Sequence, residues 1–393
     1  MRLLILSSFV FTFILVALSD GVSAREYPIG WRSYGAGRYL EADPPIKWSS
    51  SHNVAWKTAM PSWSNASPVL PSDSLMIVCS EPDQVLGIDP RTGSIAWQQS
   101  LGDVSSAEPV GTHGSNGYTS HTPLSDGRRI YTVFGSGVVA AHTPEGKRVW
   151  ARVVERPQHG WGHSASPAMG GGRLIVHITD LIALDPATGD EVWRRASQEK
   201  FGSPVVARVG GKDIVITPVG DVFRAADGKP LAQGIGKLEY ATPVIQDGIV
   251  YFIEKKATAV KLPDEIGGAY ETLWTARVQG SRHYSSPVIH EGLIYAISRE
   301  EKFSILDAKT GAPVFAKDLD LGAETNSAYT SITLAGGKLF IGAESGTTVV
   351  IEPGKTYREI GRNAVEGFRS SPVFAGKRMY LRAFDHLYCF EQR

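Results

Sequence analysis

The stretch that decides the architecture runs from residue 166 to residue 193. Ser166-Pro167-Ala168 opens it, Arg173-Leu174-Ile175-Val176-His177-Ile178 and Leu181-Ile182-Ala183-Leu184-Asp185 are apolar runs of strand length, and Glu191-Val192-Trp193 closes it. Between the last two runs lies Asp185-Pro186-Ala187-Thr188-Gly189. Asp bonds its own backbone, Pro presets φ and Gly takes the left-handed position, which makes a hairpin turn with a bulge. The phrase predicts four short antiparallel strands in chain order.

The same phrase recurs outward from there in both directions. Its Ser/Thr-Pro steps fall at Pro68, Pro123, Pro167, Pro204, Pro243, Pro287 and Pro372, with Ser331 holding the place in a degenerate copy. Seven steps span 304 residues, about 43 each, the size of a four-stranded propeller blade. The Asp turn stands again at Asp89-Pro90-Arg91-Thr92-Gly93 before Trp97 and at Asp307-Ala308-Lys309-Thr310-Gly311 before Phe315. The eighth copy stops at Leu387-Tyr388-Cys389-Phe390 without a fourth strand, while Val54-Ala55-Trp56-Lys57 reads as a fourth strand without the other three. Joined, they complete one blade and remove an exposed edge. The expected fold is therefore all-β: an eight-bladed β-propeller of four-stranded antiparallel blades over residues 48–393, after an N-terminal extension at 25–47.

Composition agrees with this reading. A chain of 393 residues exceeds the ~250–300 residues at which single cores stop growing, and stacked repeats avoid that limit. Forty basic residues balance 40 acidic ones, which excludes a general attraction for nucleic acid. Met1-Arg2, an apolar run to Leu18 and the small residues Val22-Ser23-Ala24 describe a secretory signal peptide over residues 1–24, cut after Ala24. No cysteine follows the run, so the lipoprotein route is closed, and a periplasmic or secreted protein without a transmembrane span in the mature chain is expected. Cys79 and Cys389 leave two readings open, a bridge or two buried thiols.

These repeats resemble the quinoprotein-type, PQQ-like β-propeller family, whose blades carry an A-x-D-x-x-T-G-x-x-x-W docking motif. The resemblance implies that the terminal aromatic of each blade packs between neighbours, at Trp56, Trp97, Trp150, Trp193 and Trp274, with Phe315, Leu231 and Tyr357 as substitutes. Trp48-Ser49 through Asn53-Val54-Ala55-Trp56-Lys57-Thr58, then Ser67-Pro68-Val69, is similar to the start of exported, poorly characterised members. The outer-membrane barrel-assembly propeller is a scaffold of the same repeat and similar length, from which this chain departs in lacking a lipid-site Cys.

Residues just before each Ser/Thr-Pro step should ring one mouth of the central channel. They supply the ligand-binding candidates His121, His163, Lys200, Glu239, Tyr240, Arg282, His283, Tyr284 and Arg369, groups suited to a polar or anionic ligand. Ser64, Asn65, Asn326, Ser327 and Phe368 belong to the same stretches. Trp63 and Trp161 could add stacking surfaces for a sugar. Residues 102–118 and 263–270 exceed the repeat and are expected as loops on a face of the disc. Four motifs are set aside. His159/His163 and His113/His121 have no helix to give their spacing meaning. Gly135-Ser136-Gly137-Val138-Val139-Ala140 lacks the helix of a dinucleotide fingerprint, and Gly162-His163-Ser164-Ala165-Ser166 lacks the last Gly of a nucleophile elbow. No metal site and no catalytic residue is predicted.

Two functions are weighed. The resemblance implies, for the enzymes, PQQ over the channel mouth with calcium and a catalytic Asp, giving a dehydrogenase of alcohols or sugars. This chain lacks their long insertions, an adjacent Cys-Cys pair and a C-x-x-C-H haem site. The preferred reading is a monomeric, non-catalytic exported platform that binds an envelope protein or a polar small molecule or sugar, with no cofactor. A carbohydrate-binding propeller is a second alternative.

Overall fold

The computed structural model describes residues 28–102, 104, 111–322 and 328–392; the expected signal peptide lies outside them. Eight antiparallel sheets follow one another in chain order. Blade 3 is typical: Ala168–Gly170 lines the channel, Arg173–His177 and Leu181–Leu184 follow outward, and Glu191–Arg195 forms the rim. Its register bulges between Ala183 and Leu184 so that Trp193 pairs with Ala183. In every sheet but that of blade 7 the inner strand is an edge strand, where a leading Pro removes no ladder bond. The last blade joins Val373–Ala375, Arg378–Arg382 and His386–Glu391 to Val54–Ala59 from the other end of the chain, with Trp56 opposite Cys389. Among the described residues no helix is long and apolar enough to cross a membrane.

Neighbouring blades dock through the rim tryptophans. Each indole N–H donates to a carbonyl in the next blade's turn: Trp56 to Pro90, Trp97 to Pro144, Trp150 to Pro186, Trp193 to Ala225 and Trp274 to Ala308, all at 2.9–3.1 Å. The turn glycine lies flat on the same ring. A Cβ on Gly189 would stand 2.6 Å from Trp150, and φ there is +77°, so space and backbone conformation demand glycine together. Each tryptophan also contributes a large apolar area, about 150–250 Å².

Three interfaces depart from this rule. In blade 6 Phe315 takes the docking position opposite Ile305 and packs into the cluster with blade 7 without an indole donor. In blade 4 the bulge register places Ala232 opposite Val222, so Ala232 and not Leu231 occupies the docking position; Ile266 and Tyr270 of the 263–270 insertion pack into the same cluster. In blade 7 Gly361 pairs with Val350 at that position, and Tyr357 lies earlier, edge-on to Phe303. A Cβ at Gly361 would meet the Ile46 carbonyl at 2.3 Å, because the N-terminal extension crosses there. Trp48, 4% exposed, joins the cluster between blades 7 and 8, stacked on Phe340 at 6.1 Å and tilted against Phe390 at 5.7 Å.

The extension also threads the channel. Ile29 bridges to Ser125 of blade 2, Arg38–Tyr39 adds a parallel strand to Thr333–Ala335 of blade 7, and Asp43 N–H donates to the Gly376 carbonyl of blade 8 at 2.8 Å. Arg32 is buried and its guanidinium donates to the Pro287 and Ile332 carbonyls. Burial lowers the Arg32 pKa to about 9. Cys79 and Cys389 are both free and buried, and burial pushes both thiols up to about 12.

Candidate ligand-binding site

The Ser/Thr of every repeat step belongs to one closed ring of hydrogen bonds. Ser67 N–H donates to the Thr122 hydroxyl, Thr122 to Ser166, Ser166 to Ser203 and Ser203 to Thr242. The ring continues from Thr242 to Ser286, Ser331 and Ser371, and Ser371 N–H returns to Ser67 Oγ at 2.8 Å. Each oxygen accepts a neighbour's backbone N–H, and no described residue accepts from any of the eight hydroxyls. Their protons therefore remain available to donate.

These hydroxyls line the lower tier of a cavity of about 520 Å³ at the channel mouth, within the usual range of small-molecule sites, about 300–1,000 Å³. The residue two positions before each hydroxyl forms the upper tier. Asn65, Ser120 and Ser164 make a polar arc; Phe201, Tyr240, Tyr284 and Tyr329 make an aromatic one; Arg369 stands between the arcs. Trp31 of the N-terminal extension lines this cavity and a second one of about 270 Å³ further along the channel.

The aromatic arc is continuous. Phe201 stacks on Tyr240 at 5.7 Å, Tyr240 meets Tyr284 edge-on at 4.9 Å, and Tyr284 stacks on Tyr329 at 4.6 Å. The Arg369 guanidinium lies 4.3 Å from the Tyr329 ring centroid and binds Glu344, with Nε to Oε1 at 2.9 Å. Arg282 lies 5.8 Å from the Tyr240 centroid, and its polar contact is the Tyr284 hydroxyl at 3.4 Å. Opposite, the described part of the 102–118 insertion borders the cavity. Asn65 Nδ2 donates to the Ser115 and Asn116 carbonyls, and Asn116 Nδ2 to those of Trp161 and His163. Asn65 Oδ1 is buried without a hydrogen-bond partner.

Five of the nine sequence candidates line this cavity: Glu239, Tyr240, Arg282, Tyr284 and Arg369. Lys200 pairs with Glu239 at 2.9 Å beside it. His121, His163 and His283 are buried and lie outside the lining, because they sit one or three residues before the hydroxyl position and turn between blades. His163 Nε2 reaches the Phe134 carbonyl at 3.2 Å and its Nδ1 faces His121 Nε2 at 2.9 Å. Burial keeps both rings neutral, so with Nε2–H donating to the carbonyl, Nδ1 accepts from His121 Nε2–H. Burial holds His163 and His283 down to about 4 and His121 well below the usual range.

Trp161 lines the cavity, whereas Trp63 packs against Gly117 outside it. Asn326 and Ser327 lie outside the described residues. Phe201, Tyr329, Trp31, Asn116 and the hydroxyl ring escaped the residue reading. Counting two positions back from each Ser/Thr-Pro step would have found Phe201 and Tyr329. Among the described residues no three His, Cys, Asp or Glu side chains converge as a metal site would require.

Comparison with known proteins agrees with this architecture. The family model described as outer membrane protein assembly factor BamB matches residues 48–317. BamB from Moraxella catarrhalis superposes with a TM-score of 0.64 at 16% identity, covering 86% of this chain and 97% of that one. The quinohemoprotein alcohol dehydrogenase from Comamonas testosteroni gives 0.63 at 12%, covering 92% and 80%. At such identities these likenesses are of fold. By sequence, the 1-butanol dehydrogenase (quinone) of Thauera butanivorans and the quinoprotein ethanol dehydrogenase of Pseudomonas aeruginosa are each 25% identical over 216 residues, 48% of this chain and 32% of theirs. The chain thus spans about a third of the length of these relatives. With more than half of its length matched by the family model and eight PQQ-like blades in its fold, the chain belongs to the BamB family of PQQ-like β-propellers.

Proposed function

We propose that this protein is an exported, non-catalytic propeller that serves as a binding platform in the cell envelope, with the channel mouth as its working surface. The observation that carries this reading is the cavity itself, a donor-rich and aromatic pocket with Trp31 at its base. The family description, outer membrane protein assembly factor, supports an envelope location. The quinone-dehydrogenase alternative draws on the relatives' names, but the donor set does not fit. Calcium takes about six to eight oxygen ligands. Among the described residues the one carboxylate lining the cavity is Glu239, which Lys200 neutralises.

Purified full-length protein mixed with PQQ and calcium tests the choice. No rise in melting temperature and no dye reduction with ethanol or an aldose are expected. A stabilised melt with turnover would overturn the platform reading.

A further inference from the structure

We infer that the mouth cavity binds an acidic saccharide, one or two uronic-acid residues long, with Arg282 on its carboxylate and Trp161 against its ring. This rests on the platform reading and names its ligand class.

The cavity has a surplus of donors. Eight hydroxyl protons point to no described partner, and two arginines line the wall against one carboxylate that is already paired. Such a surface is complementary to an anion. Of the two arginines, Arg369 is neutralised by Glu344. Arg282 has only a hydroxyl and an aromatic face, with no carboxylate within ion-pair distance among the described residues, so it is the cation free to take one.

Two further features distinguish a saccharide from a bare anion. Asn65 Oδ1 is a buried acceptor without a donor, and burying an acceptor unpaired is costly unless a ligand hydroxyl satisfies it. Trp161 is 50% exposed, the only exposed tryptophan among the described residues, and it lines the cavity with His113 stacked on its ring at 3.5 Å. A braced, exposed indole suits the C–H face of a sugar ring. Inorganic phosphate has no such face and would leave most of the roughly 520 Å³ unfilled.

Isothermal titration of the full chain with galacturonate, digalacturonate and galactose at fixed salt tests this. The acids should bind at least about tenfold more tightly than galactose, the worth of one charge-assisted contact. Tighter binding of the dimer than of the monomer would place the source in acidic polysaccharide ends rather than free uronate. Arg282→Gln should erase the acid preference, and Trp161→Ala should weaken acid and neutral sugar alike. Both positions are exposed, so unchanged melting temperatures should confirm folding. Equal affinity for galactose, an acid preference that survives Arg282→Gln, or no binding by any of the three would overturn the proposal. If no sugar binds while partners still cross-link at the mouth, only the ligand class falls; if neither occurs, the platform reading falls too.

Discussion

Ser371 N–H donates to Ser67 Oγ at 2.8 Å across 304 residues of chain, and this bond completes the eight-membered hydroxyl ring at the channel. The same side chains therefore close the propeller and line its cavity. Stability and binding share one set of atoms.

Removing one hydroxyl leaves a buried backbone N–H without a partner. Ser67→Ala is expected to lower unfolding stability by about 1–3 kcal/mol, read by urea denaturation. Ser67→Thr should be nearly neutral, since Thr122 and Thr242 hold equivalent places. Equal loss in both variants would show that the hydrogen bond is not the cause.

The docking turns make a paired prediction. Gly189→Ala forces a Cβ into Trp150 at φ +77°, whereas Gly172→Ala meets nothing within 4 Å at φ +72°. Left-handed backbone alone costs about 1–2 kcal/mol, and overpacking adds about 1–3. Gly189→Ala should therefore be the more destabilising in chemical denaturation by the overpacking increment.

Deleting residues 25–60 removes the closing strand Val54–Ala59, the Trp48 packing and the channel segment together. The truncated protein should melt at lower temperature and over a broader range in calorimetry. A melt as cooperative and as high as that of the full chain would contradict ring closure by this segment.

Acid should destabilise the interface between blades 2 and 3. His163 is held down to about 4 when folded and returns to about 6.5 when unfolded. Between these values the unfolded chain takes the proton first, so the contribution is full above about pH 6.5 and is lost as pH falls toward 4. The loss is on the order of 3 kcal/mol. Glu199, raised to about 7 chiefly by burial, acts in the opposite sense, so the readout is the wild type compared with His163→Gln. The variant's stability should fall less between pH 6.5 and 4.

The sequence made the blades legible because each copy repeats the same turn chemistry, and the terminal fragments had to join for want of any other edge. The cavity was only half legible. His163 and His283 stood in the right stretches, but strand alternation sends them between blades while Tyr284 and Tyr329 face the channel. The course of the N-terminal extension was not legible at all. Trp31 and Arg32 belong to no repeat, and their places depend on a channel that exists only once eight blades have closed.

The most direct test of the central claim is site-specific photocrosslinking in the native envelope, with the probe at Tyr284 on the mouth or at Val149 on the exposed rim. Mass analysis of the purified protein then identifies any adduct, saccharide or polypeptide. Adducts at Tyr284, absent at Val149 and lost when Arg282 is also replaced by Gln, are predicted. Adducts at Val149 with a clean Tyr284 would contradict the mouth as the working surface.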